Sequence, residues 1–149
     1  MFESIKAFGF GGIGWFAKLA MGRSQSTVAE IRAVLLKTDE LATDADRAAR
    51  SIASGAPDIQ LSIRVSTLRT DLGIALKRCL GRTPGFSAVT TAQGLFAASL
   101  LVCDPANGAT VTDADIETIR QRQQALRAAI AAAASDLFSW RHLQHAAKP

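Results

Sequence analysis

Thr27-Val28-Ala29-Glu30-Ile31-Arg32-Ala33-Val34-Leu35-Leu36-Lys37-Thr38-Asp39-Glu40-Leu41-Ala42 is the stretch whose reading decides the fold. Its apolar residues recur three and four apart, at Val28, Ile31 and Leu35, and the pattern continues through Ala42, Ala45, Ala49 and Ile52. Thr38 fills one seam position, while Val34, Leu41 and Ala48 widen the stripe. That spacing is the period of an α-helix with one face turned to a core. Thr27 and Glu30 have the spacing of a capping box, and Ser54-Gly55-Ala56-Pro57 is a stop, so the expected helix covers 28–53. Its alanine-rich second half, Ala42–Ala49, admits a neighbouring helix at close range.

Two periods compete in the next segment. Ile59, Leu61, Ile63 and Val65 alternate as in a strand, yet Leu61, Val65, Leu68, Leu72, Leu76 and Cys79 lie on one helical stripe. The longer pattern prevails and predicts a helix over 57–80, with Pro57 at its first position and Gly81 as its stop. Lys77 and Arg78 suit the negative end of that helix.

From Phe86 to Cys103 there is no charged residue. Thr90-Thr91-Ala92-Gln93 offers a second capping box, and a helix is expected over 90–103. Two readings compete: the central helix of a bundle, buried on every side, or a transmembrane span through 83–103. Thr, Ser, Gln, Pro and Gly weaken the span, so the buried helix is preferred. Asp104-Pro105-Ala106-Asn107-Gly108 is a loop. Thr112, Asp113 and Asp115 then open a last helix, expected over 113–145, with Ile116, Ile119, Leu126, Ile130, Ala133, Leu137 and Trp140 on its apolar side. The block Ala128–Ala134 again permits close packing. The fold class that follows is all-α: a bundle of about four principal helices in one domain, 23–149, preceded by a glycine- and aromatic-rich segment, 1–22.

Composition agrees with this reading. Of 149 residues 48% are hydrophobic, 20% are charged and none is tyrosine, which favours packed helices over a sheet. The net charge of +4 is too small to mark a nucleic-acid binder by itself. Charge is nevertheless segregated: 1–37 and 57–92 are basic and 38–56 is acidic, so the blocks can pair within the fold or face anionic lipid. Cys79 and Cys103 form no disulfide framework and read as buried thiols, one bridge between them remaining open.

Motifs for catalysis are missing. The chain has no Walker sequence, no CxxC and no HExxH, and its glycine run Gly9–Gly14 follows no strand. His142 and His145 lack a third ligand and suit a helix C-terminus better than a metal. Asp44 and Asp46 are expected to face solvent beside Arg47 and Arg50. No enzyme activity, cofactor or metal is expected.

The feature left to explain is Ala7-Phe8-Gly9-Phe10-Gly11-Gly12-Ile13-Gly14-Trp15-Phe16-Ala17. Glycine disfavours helix, by about 1 kcal/mol per residue against alanine, and the large apolar side chains require cover. The run resembles membrane-inserting fusion peptides in composition, over this stretch alone, and the likeness transfers no function. Glu3 and Lys18 argue against a cleaved signal peptide. Phe8, Phe10, Ile13, Trp15 and Phe16 are the expected apolar contacts with a membrane surface or partner protein, with Lys6, Lys18 and Arg23 adding attraction to anionic lipid.

The expectation is therefore a non-enzymatic protein that anchors, scaffolds or assembles at a membrane, on the bacterial cytoplasmic side, or in a larger complex, as a homo-oligomer. Three alternatives stand beside it. One is an integral membrane protein spanning through 83–103. Another is a subunit of a multi-protein particle, such as a phage structural or assembly protein. The third is a nucleic-acid binder using Arg64, Arg69, Lys77, Arg78 and Arg82, a reading not favoured because no aromatic residues interleave the basic ones.

Overall fold

The computed structural model describes residues 11–107 and 110–137, with side chains over 27–106 and 110–136. Among the described residues there are four α-helices and no strand: α1 (Gly11–Ala53), α2 (Ile59–Leu80), α3 (Phe86–Ser99) and α4 (Asp113–Leu137). Two 3₁₀ turns, Leu100–Cys103 and Pro105–Asn107, follow α3. The chain runs up and down through the four helices. α1 packs on α2 and α4, α3 packs on α4, and α2 meets α3 only sparsely.

The stripe expected on α1 is the core. Val28, Ile31, Val34, Leu35, Leu41, Ala42, Ala45, Ala48 and Ala49 are all buried. Thr38 is fully buried among them, because its hydroxyl donates to the Val34 carbonyl at 2.9 Å and so satisfies itself within the helix. Val65, Leu72 and Leu76 of α2 and Ile116, Ile119, Leu126, Ile130 and Ala133 of α4 face this stripe in one hydrophobic core. The alanine block of α4 packs as its composition suggests. A β-carbon at Gly85, just before α3, would sit 3.1 Å from the α- and β-carbons of Ala133, so the backbones meet there closely.

Several boundaries differ from expectation. α1 does not start at Thr27: it begins at Gly11 and passes through the capping box without a break. At 43 residues it is about 64 Å long, roughly twice the length of α2. Pro57 is not the first residue of α2. Asp58 is the cap, its carboxylate accepting from the Leu61 amide at 3.1 Å. Gly81 does close α2, donating its N–H to the Lys77 carbonyl, but in the right-handed region, where a β-carbon would collide with that carbonyl. α3 begins at Phe86 rather than at Thr90, so Thr90 lies inside the helix and caps nothing. Its last residues, Leu100–Cys103, tighten into a 3₁₀ turn. The start of α4 is capped as expected: Thr112 and Asp115 exchange side-chain to backbone bonds at 3.2 and 2.9 Å. The expected continuation of α4 to about 145 lies outside the described residues beyond Leu137.

Candidate interaction surface

Charge closes one side of the bundle. Arg64 on α2 donates to Asp44 on α1 at 2.6 Å and also to Glu40, one turn away. Glu40 first and Asp44 second raise the Arg64 guanidinium above its ordinary pKa. On the other flank of α1, Arg127 of α4 reaches both carboxylate oxygens of Asp39 at 2.7 Å, and Gln123 adds a bond of 2.8 Å. The acidic block 38–56 thus pairs within the fold. This corrects the expectation for Asp44, which is buried and bridged rather than facing solvent; Asp46 does pair with Arg50 at 3.0 Å. It also removes Arg64 from the basic face considered for nucleic acid.

The two thiols, Cys79 and Cys103, are held protonated at neutral pH. Both are free. Cys103 is buried and its S–H donates to the Ala45 carbonyl at 3.3 Å; burial pushes its pKa up to about 12. Burial likewise pushes Cys79 up to about 11. Thiols held protonated this firmly are poor nucleophiles at neutral pH. Among the described residues no cluster of His, Cys, Asp or Glu is arranged to hold a metal; His142 and His145 lie outside them.

The opposite side of the bundle, between α2 and α3, is built differently. α3 is not the all-round buried helix its composition promised. From Phe86 to Cys103 mean hydropathy is 1.6, yet only 22% of the stretch is buried. Val89, Phe96, Leu100 and Cys103 face inward. Ser87, Thr91, Gly94, Leu95, Ala98 and Leu101 face out, and none carries charge. The reason is positional: with α1 filling the centre, α3 lies at a corner of the bundle and meets α4 along one side only.

Below α3 this face opens into a trough of about 470 Å³ between α2 and the 3₁₀ turns. Ile59 and Ile63 on one wall and Leu101 on the other are each more than half exposed, at 54%, 55% and 54%. Val65 and Leu100 form its floor side, Pro105 and Ala106 its lower end, and Arg69 also lines it. Sequence reasoning missed Ile59, Ile63 and Leu101. The signal was present in the strand-like alternation: on a helix, residues two apart fall on opposite faces, so burying Leu61 and Val65 obliges Ile59 and Ile63 to point away.

Of the residues expected to make apolar contact, Lys6, Phe8 and Phe10 lie outside the described residues. Ile13, Trp15, Phe16, Lys18 and Arg23 lie on the first turns of α1, and their side chains are outside the described ones. No family model, no curated protein and no solved structure matches this chain.

Proposed function

We propose that this is a non-enzymatic helical protein that assembles, at a membrane surface or in a larger complex, through uncharged apolar surface. The observation that carries the reading is the outer face of α3. A helix without a charge in its whole length, and with most of that length outside the core, is matched to a dry neighbour rather than to water. The apolar segment Ala7–Ala17 supplies a second uncharged surface, with Phe8, Phe10, Ile13, Trp15 and Phe16 as contacts and Lys6, Lys18 and Arg23 beside them. A homo-oligomer, a particle subunit and a peripheral membrane protein all use such surfaces, and the test separates them.

The full chain is compared with two variants, Leu95→Glu with Ala98→Glu, and Phe8, Phe10, Trp15 and Phe16 each replaced by Ser. Flotation with anionic vesicles and light scattering without lipid are the readouts. Flotation lost only in the aromatic variant supports a membrane anchor. A defined oligomer without lipid, dispersed by the α3 charges, supports assembly with protein. A chain that neither floats nor associates overturns the reading.

A second reading, an integral protein spanning through 83–103, is favoured by one observation. Phe86–Cys103 is long and apolar enough to cross a bilayer and is largely unburied. Against it, the stretch is α-helical for 14 residues and then tightens into the 3₁₀ turn. Resistance to carbonate extraction would favour the span.

A further inference from the structure

We propose that the trough between α2 and the 3₁₀ turns binds a medium-chain aliphatic carboxylate, with its carboxylate on Arg69 and its chain along Ile63 and Ile59. The trough is polarised. Ile59, Ile63, Ser66 and Arg69 follow one another along a single face of α2, three and four residues apart. From Ile59 to Arg69 this line is about 15 Å long. An extended chain advances about 1.2 Å per bond, so a carboxylate of about twelve carbons matches the line.

α2 and α3 run antiparallel, which sets the two ends apart. Cys103 touches Ala45 and Arg64 bonds Asp44, so Cys103 and Arg64 stand at the same height in the bundle. Arg69 therefore stands nearer Leu100, and Asp104 nearer Ile59. Asp104 is the one acidic lining residue, and its carboxylate is engaged by the Ala106 amide at 2.9 Å. At the other end, Arg69 has no carboxylate partner among the described residues, as is also true of Arg47, Arg78, Arg82 and Arg122, but of these five only Arg69 lines the trough. A half-buried arginine lining an apolar trough is complementary to an anion that brings its own hydrocarbon. A purely apolar ligand would leave Arg69 unmatched, and a cationic amphiphile would oppose it.

The test uses the full chain and dodecanoate below its micellar concentration, with calorimetry for affinity and ¹³C-methyl spectra for position. The expected result is saturable one-site binding, with shifts at the Ile59, Ile63 and Leu101 methyls. Arg69→Gln weakens binding about tenfold or more, the loss of one charge-assisted bidentate pair. Ile63→Asp abolishes it, and dodecyltrimethylammonium binds at least tenfold more weakly than dodecanoate. Ile63 is exposed and Arg69 half-buried, and thermal melts unchanged within a few degrees verify that the variants are folded. Binding without shifts at these methyls overturns the proposal, as does binding indifferent to Arg69→Gln or to the sign of the head group. So does a trough whose methyl signals shift with protein concentration alone, which would make it a contact between protein chains.

Discussion

α1 holds α2 and α4 in one way, and α2 faces α3 in another. On the first side small residues bring backbones together, and arginines from both neighbours reach carboxylates on α1. On the second side α3 carries no charge, meets α2 sparsely and leaves Leu95 and Leu101 in the open. Burial of apolar area is the main favourable term in folding and has no direction, whereas ion pairs and alanine faces are specific about distance. The closed side therefore defines the fold, and the open side retains apolar area that the fold does not use. That is the physical basis for placing both the assembly surface and the proposed ligand trough on the same flank.

Removing bulk from the closed side should produce the largest effect. Leu41 is completely buried on α1. Leu41→Ala should cost about 3–4 kcal/mol, read by urea denaturation, because the truncated side chain leaves a cavity between rigid helices. Ala45→Leu attacks the same side from the opposite direction. Ala45 is also completely buried and its carbonyl holds Cys103, so added volume forces the 3₁₀ turn outward, at about 1–3 kcal/mol. If Leu101→Ala cost as much as Leu41→Ala, the contrast between the two sides would be wrong.

The closed side was legible because its pattern is long and has one meaning. Eleven positions from Val28 to Ile52 repeat at the helical period, and no other arrangement buries them together. Two helix starts were not legible, because Thr27 and Thr90, each three residues before Glu or Gln, both lie inside helices. Thr90 lies one turn inside α3, so the motif at Thr90–Gln93 marks no helix start. The open side was misread for a different reason. Composition reports what a helix can be buried in, not whether a neighbour is present, and α3 reads the same at the centre of a bundle or at its corner. Only the clash of periods at Ile59–Val65 carried information about the trough.

An effect of intermediate size separates the sides by pH. The buried Cys103 thiol has its pKa raised from the usual 9.0 to about 12, and Cys79 to about 11. The unfolded chain releases these protons from about pH 9 upward while the folded chain retains them. The thiol contribution to stability is thus complete below pH 9 and declines as pH rises through 9 toward 11–12. Cys103→Ala should flatten part of that alkaline decline in urea titrations at pH 8, 9.5 and 10.5. In native protein at pH 8, Cys103 should react with iodoacetamide on the order of a hundredfold slower than in the urea-unfolded chain. Equal rates would mean that the Cys103–Ala45 contact opens readily, and that the turn belongs to the loose side.

The smallest expected effect on stability decides most about function. Leu95 is 45% exposed on the outer face of α3, and a β-carbon at Gly94 beside it meets nothing within 4 Å. Leu95→Glu should therefore alter the unfolding free energy of the monomer by no more than about 0.5 kcal/mol, the range for a surface substitution. A charge there would still have to be desolvated if α3 packs dry against a second surface, at a cost of several times that amount. Stability and association thus respond to the same substitution with different magnitudes. A melt at low concentration that is unchanged, together with loss of light scattering or flotation, places the contact on α3. A large loss of monomer stability would show instead that Leu95 belongs to the fold, and the open side of the bundle would be closed after all.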